Sequence, residues 1–293
     1  MPRVWVCRGH QFTIGPRPLV MGIVNVTPDS FSDGGRFLDP AAAIDHGLAL
    51  AAEGANILDI GGESTRPGAP AVSGADELAR VLPVVAGLAK RAALPLSVDT
   101  TKAEVARRCM YAGASIINDV SGLTADADMP GVVAATGAGV VVMHMQGTPR
   151  TMQQNPVYGD VVGEVAGYLE ARLHALAAVG ISPDAVCLDP GIGFGKTLDH
   201  NLTLLAHLDA VAALGRPVCL GVSRKKFIGT LCGREPADRA AGSLAVATIA
   251  AARGTAQVLR VHDVAATRDA VVLLAAINRA RRPDVAAGRI TQP

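Results

Sequence analysis

The sequence predicts an α/β chain folded as a single (β/α)8 TIM barrel over residues 1–293, with a short β-ribbon at its N-terminus. Three observations predict it. Short apolar runs rich in β-branched residues alternate with helix-patterned segments about eight times, which is the count of that barrel. Within each run the apolar residues are consecutive rather than alternating, as in strands buried on both faces. Run after run ends in a polar residue, and no composition shift or linker marks a second domain. A doubly wound open sheet is the alternative. It would usually open on G-x-G-x-x-G, whereas the first loop here begins Asn25-Val26-Thr27-Pro28-Asp29.

Residues 1–17 read as the ribbon. Val4, Val6, Phe12 and Ile14 alternate around a turn near Gly9, and the ribbon is placed to cover one end of a larger body. Leu19 to Val26 is the first buried strand. A loop from Thr27 to Phe37 follows, then a helix over Ala41–Ala52, with Asp39 as its cap ahead of Pro40. Strand Asn56–Ile60 leads through the loop Gly61–Gly68 to a helix over Ala75–Arg91. Strand Leu94–Val98 ends at Asp99, before a helix over Lys102–Tyr111. Ser115–Ile117 ends at Asn118-Asp119, before a short helix over Met129–Ala135. Gly139–Met143 ends in His144-Met145-Gln146 and a polar loop reaches Tyr158. The next helix carries Val162, Val165, Ala166, Leu169, Leu173 and Leu176 on one face.

Strand Ala185–Leu188 ends at Asp189 and runs into Pro190-Gly191-Ile192-Gly193-Phe194-Gly195-Lys196. Pro190 fixes its own φ, and the glycines admit backbone angles that a β-carbon forbids. A helix over Leu202–Leu214 follows. Strand Pro217–Val222 ends at Ser223-Arg224-Lys225-Lys226, and a helix spans Ala237–Arg253. Strand Gln257–Leu259 ends at Arg260-Val261-His262-Asp263, and a last helix covers Ala266–Arg281.

Composition narrows the function. At 49% hydrophobic and 3% aromatic, the core is built from aliphatic residues rather than rings. A net charge of +1 provides no field for nucleic acid or an anionic membrane. No apolar run reaches the roughly 20 residues of a membrane span, and Met1 to Thr13 lacks a signal-peptide pattern. Five cysteines without paired spacing point to the reducing cytoplasm.

In a barrel the strand ends share one face, so Asn25, Asp59, Asp99, Asn118, Asp189, Lys225, Arg260 and His262 converge there. Acids with an amide suit a ligand rich in N–H donors, because a carboxylate accepts two parallel bonds from an amidine-like edge. Lys225 would meet a carbonyl oxygen or ring nitrogen opposite, so the mouth fits a planar heterocycle such as a pterin or guanine. Arg260 and His262, at i, i+2 spacing, are expected together at the rim. With Asn25 they would hold a phosphate or pyrophosphate through Mg2+, which needs few protein ligands. For each residue alone the structural alternative stands: Asp59 holding the Gly61-Gly62 turn, Asp99 and Asp119 capping helices.

These stretches resemble one family. Met21 to Gly35 and Asp59 to Gly68 are similar to the two long signatures of the dihydropteroate synthase family. Ser97-Val98-Asp99-Thr100, Ile117-Asn118-Asp119, Met143-His144-Met145, Leu188 to Gly195, Ser223-Arg224-Lys225 and Arg260-Val261-His262 follow in the family's order. The resemblance covers essentially the whole chain. It implies condensation of 6-hydroxymethyl-7,8-dihydropterin diphosphate with 4-aminobenzoate, giving 7,8-dihydropteroate and pyrophosphate. It implies Asp99, Asn118, Asp189 and Lys225 as pterin binders, with Met143 and Phe194 as apolar walls. It further implies Asn25 as the Mg2+ ligand, and Thr65, Arg260 and His262 as diphosphate contacts. Asp33 and Arg66 would order two closing loops and, with Lys225, serve catalysis. Where some members place Ser after Ser-Arg-Lys to hold the aminobenzoate carboxylate, this chain has Lys226.

Two rivals differ in stated ways. A methyltransferase on the same barrel would share the acids but not need Asn25 with Arg260 and His262. A non-catalytic pterin-binding paralogue would have lost parts of the two loops, and both are present. The segment Ala241–Ala250 is apolar nearly all round, which predicts a partner subunit over it, and the resemblance implies a homodimer.

Overall fold

The computed structural model describes residues 3–27, 39–66 and 68–280. An antiparallel hairpin comes first, β1 (Val4–Cys7) with β2 (His10–Thr13). The barrel units follow: β3 (Leu19–Asn25), α1 (Pro40–Ala52), β4 (Ile57–Gly61), α2 (Gly74–Arg91), β5 (Leu96–Asp99), α3 (Ala103–Tyr111), β6 (Ile116–Asp119), α4 (Met129–Thr136), β7 (Gly139–Met143) and α5 (Val161–Ala178). The remainder is β8 (Val186–Asp189), α6 (Leu198–Ala206), α7 (Asp209–Ala212), β9 (Cys219–Leu220), α8 (Lys226–Cys232), α9 (Ala240–Ala252), β10 (Val258–Val261) and α10 (Val264–Ala280). Strands β3 to β10 form one parallel sheet in the order β8-β7-β6-β5-β4-β3-β10-β9. A parallel bridge between Leu188 and Val218, with Leu188 N–H donating to Pro217 O at 2.8 Å, joins the two ends and closes the barrel.

The alternation of side chains along each strand organises everything else. One set faces out beneath the helices: Leu58, Ile60, Val98, Ile117, Val140, Val142, Leu188, Leu220 and Leu259 belong to the large core between sheet and helices. The other set faces in. Its lowest layer is apolar, with Met21, Ile57, Ile116, Val141, Cys187, Cys219 and Val258 packed together. Two residues further along those strands stand Ile23, Asp59, Asn118, Met143, Asp189 and Arg260. The functional layer is therefore the next rung above a hydrophobic floor.

The hairpin closes the barrel below that floor, as its pattern predicts. Trp5 and Cys7 are buried in the same apolar layer, and Trp5 Nε1 donates to Ala185 O at 2.9 Å. Arg216 ties the ribbon down, donating to Val4 O at 2.7 Å and to Asp184 at 2.7 Å. Trp5→Ala is expected to cost about 3–5 kcal/mol, the range for deleting a large buried ring. Denaturant midpoints should fall while substrate KM values stay within twofold, because the floor separates ribbon from mouth.

Three elements differ most from the sequence expectations. The helix expected over Leu202–Leu214 is two, α6 and α7, with α6 starting early because Thr197 caps it and accepts from His200 N. Between Lys226 and Ala237 lies α8, a helix the pattern did not predict, ended by Gly233 at φ 64°. The strand expected over Pro217–Val222 is reduced to Cys219–Leu220.

Candidate active site at the carboxyl end of the barrel

Arg260 stands at the centre of the mouth. Its Nε donates to Asp59 Oδ2 at 2.6 Å and its Nη2 to Asp99 Oδ2 at 2.8 Å. Asn118 Nδ2 donates to the same Asp59 oxygen at 3.1 Å. The side chain of Asp59 is fully buried, and its Oδ1 has no partner among the described residues. Sequence reasoning placed Asp59 in the mouth, where it stands, and expected Arg260 at the rim. The i, i+2 spacing gave the right face, but the long guanidinium reaches down into the barrel, drawn by carboxylates that burial leaves without water. Nη1 of Arg260 keeps its donors free of any hydrogen bond among the described residues.

Asp99 is largely buried, and its pKa is pushed up to about 7. Burial is the largest cause, Arg260 opposes it, and the nearby Asp59 and Glu77 add to it. Asp189, across the barrel, is also raised by burial, against the pull of Lys225. Its Oδ1 accepts Gly191 N–H at 2.7 Å, which turns the chain sharply after β8. Lys225 precedes α8, donates to Ile192 O, and holds its Nζ 4.3 Å from the centre of the Phe194 ring. Burial lowers the Lys225 pKa to about 8, with Asp189 raising it and Arg260 lowering it. Met143 is buried at the end of β7, in register with Asp189. Asp99 is likewise in register with Asn118.

His262 is half-buried above Arg260. Ser223 Oγ lies 2.9 Å from its Nδ1 and accepts the His262 backbone N–H at 3.2 Å. A hydroxyl already accepting can donate to Nδ1, which leaves the other ring nitrogen, Nε2, as an N–H donor. Burial, Arg260 and Arg224 depress the His262 pKa to about 4, so it acts as a neutral donor. Arg224 adopts φ 57° between Ser223 and Lys225, and its guanidinium grips Asp263 at 2.6 Å. Its backbone N–H donates to Ser243 Oγ at 2.8 Å. These contacts hold the turn from which Ser223 reaches His262 and Lys225 reaches Ile192 O and the Phe194 ring.

Thr65 and Arg66 occupy the loop after β4, with Arg66 exposed but close enough to depress the His262 pKa. Glu63 closes this loop, accepting Val72 N–H at 2.9 Å on one oxygen and Lys102 Nζ at 2.5 Å on the other. Lys102 also bonds Glu77 at 2.5 Å, and that carboxylate is fully buried beneath α2. The sequence pattern missed this cluster, because Glu77 falls in the first turn of a helix, where acids ordinarily serve the dipole. Asp33 lies outside the described residues. Lys226 begins α8 and is exposed.

Asn25 ends β3, half-buried, and its side chain makes no hydrogen bond among the described residues. No group of three or more His, Cys, Asp or Glu suited to a metal occurs among those residues. A single amide oxygen fits an ion held mainly by substrate oxygens and water, as Mg2+ usually is, and does not fit an all-protein cage.

Residues 21–262 match the family described as pterin binding enzyme. Dihydropteroate synthase of Neisseria meningitidis serogroup C is 49% identical over 273 residues, 92% of this chain and 95% of that one. The chain belongs to the dihydropteroate synthase family. Two solved structures of the Xanthomonas albilineans dihydropteroate synthase superpose closely. One, with 4-aminobenzoic acid, has a TM-score of 0.88 at 51% identity, covering 95% of this chain and 99% of that chain. The other, in complex with 7,8-dihydropteroate, has a TM-score of 0.84 at 48% identity, covering 94% and 98%. As a dihydropteroate synthase, the chain is a transferase, and its barrel is the barrel of that family.

Proposed function

We propose that this mouth joins a 6-hydroxymethyl-7,8-dihydropterin diphosphate to 4-aminobenzoate, forming 7,8-dihydropteroate and pyrophosphate. The observation that carries the reading is the inward rung of Asp99, Asn118 and Asp189, with Lys225 facing Asp189 across the Phe194 turn. The carboxylates accept from the amino-amide edge of the pterin, and Lys225 donates to its oxygen or ring nitrogen. Met143 and Phe194 supply apolar walls. The diphosphate then lies towards the rim, within reach of the His262 N–H, Thr65 and Arg66, with Nη1 of Arg260 beneath.

The bond from the exocyclic methylene carbon to the diphosphate oxygen breaks first, and pyrophosphate takes the electron pair. The electron-rich dihydropterin stabilises the resulting cation. The aniline nitrogen attacks that carbon and then loses a proton. No activated nucleophile is required, so the protein's work is electrostatic: it steadies the departing charge and keeps water from the cation. Mg2+, bound through Asn25 and the substrate, would neutralise charge on the diphosphate oxygens.

The test is pyrophosphate release from the purified protein, given dihydropterin diphosphate and 4-aminobenzoate. Release should require aminobenzoate, yield dihydropteroate, and fall at least about tenfold when chelator replaces Mg2+. Pterin binding without release would sink the reading in favour of a binding protein.

The proposed working state is a homodimer in the cytoplasm. Ile249 on α9 and Leu273 and Ile277 on α10 are more than half exposed, at 52%, 63% and 54%, on two helices that pack side by side. All five cysteines are unpaired, which suits a reducing compartment, and no helix among the described residues is long and apolar enough to cross a membrane. Light scattering at micromolar concentration should return twice the chain mass, and Ile249→Asp with Leu273→Asp should halve it.

A further inference from the structure

The glycine turn after β8 is held from two sides by two lysines, and only one of them has a role in the chemistry above. Lys225 reaches it from the mouth. Lys196 reaches it from inside the protein and is 3% exposed. Its Nζ lies 3.0 Å from Gly191 O, 3.0 Å from Phe194 O and 3.0 Å from His144 Nδ1. Between those two carbonyls, Ile192 O faces the other way and accepts from Lys225. The Phe194 ring beneath Lys225 belongs to the residue whose carbonyl Lys196 holds. Gly191, Gly193 and Gly195 have φ of 69°, 84° and 59°, and a β-carbon at Gly191 would run into His144 O. The turn is thus pressed against the end of β7, with the Gly191 and Phe194 carbonyls on one ammonium group and the Ile192 carbonyl on the other.

A simple staple would not need this charge. Neutral groups already fasten the turn: Gly193 N–H donates to Asn201 at 2.6 Å, Tyr158 OH to Gly195 O at 2.8 Å, and Gln153 to Gly193 O at 3.0 Å. Lys196 has no ion pair among the described residues, and a buried ammonium without one is costly. Burial and the facing Lys225 push its pKa down to about 7, while Asp189 pulls it back up. These acceptors, with His144 O at 3.4 Å as a fourth, favour the charged form, as hydrogen bonds to an ion do.

We propose that Lys196 is a positioning residue for the pterin subsite: by drawing the Gly191 and Phe194 carbonyls inward, it fixes the Ile192 carbonyl and Phe194 ring that hold Lys225 over the mouth. This rests on the pterin reading of the site, so dihydropterin binding and turnover by the unaltered protein are measured first. Their absence would sink that reading and not this one.

The variant is Lys196→Met, which keeps the length and removes the charge and its donors. The KM for the dihydropterin diphosphate should rise about tenfold, the scale of losing hydrogen bonds from a charged group. The KM for aminobenzoate should stay within twofold. In a Phe194→Ala background the same substitution should cost less than threefold, because its effect runs through that side chain. Lys196→Gln, which keeps one donor, should show the same selectivity at smaller size and serves if the Met variant does not fold. Equal losses for both substrates, an unchanged pterin KM, full additivity with Phe194→Ala, or failure of both variants to fold would each overturn the proposal and leave Lys196 a staple of the fold.

Discussion

Replacing Arg260 with Met is expected to lower the thermal midpoint by roughly 10 °C, from a loss of about 3–5 kcal/mol, and to abolish measurable turnover. Arg260 spans three strands, joining β10 to Asp59 on β4 and Asp99 on β5. Methionine fills much of the space but leaves the fully buried Asp59 side chain with only Asn118 for company. The size comes from that asymmetry. The intact pair gains little over a well-packed apolar core, but a half-removed pair strands a charge.

The deficit should depend on pH in a particular direction. The Asp99 pKa is raised in the folded state, from 3.8 to about 7. A raised carboxyl binds more protons folded than unfolded, so its contribution is present at low pH and lost as pH rises through the folded pKa. Without Arg260, which opposes the shift, that window extends further upward. The variant should therefore lie closer to the unaltered protein at about pH 5 than at about pH 8. Thermal melts at both values check this, and a deficit that grows towards acid would refute it. Adding Asp59→Asn to Arg260→Met should recover part of the loss, because an amide needs no counter-charge.

What the sequence discloses here follows from what alternation can encode. Each barrel strand is an apolar run because both its faces are covered, and the break to Asp99, Asn118 or Asp189 marks where the strand clears the hydrophobic floor. The inward rung is thus legible as position. The direction of a long side chain is not: Arg260 and His262 share a face, yet one turns down to the acids and the other up to the rim. Lys196 was visible only as the end of a glycine turn, because its acceptors are the backbone carbonyls of Gly191, Phe194 and His144 and the ring of that histidine, 52 residues away. The helix α8 escaped for a different reason. It has seven residues, too few to show a period, and its clearest sign was Gly233 at the left-handed cap.

The pH dependence of pterin binding should be a narrow bell, with its maximum between about 7 and about 8. On the acid side stand the carboxyls. Protonated Asp99 presents a donor where the ligand's N–H groups need an acceptor, and its folded pKa is about 7. Asp189 is raised as well, by burial. On the alkaline side stands Lys225, which loses its charge and one donor as pH passes about 8. His262, depressed to about 4, is neutral throughout and contributes to neither limb. The free protein's ionisations govern this profile, so it belongs to kcat/KM for the pterin substrate or to direct binding. A pterin lacking the diphosphate is the better probe, because its own charge then stays constant on the acid side. Lys225→Arg should move the alkaline limb beyond the measurable range while leaving the acid limb in place, since a guanidinium keeps its proton. Asp99→Asn should weaken binding and flatten the acid side, because the group that titrates near 7 is gone. A profile level from about pH 6 to about pH 9 in the unaltered protein would show that burial does not shift these groups as their surroundings require, and the electrostatic account of the mouth would fall with it.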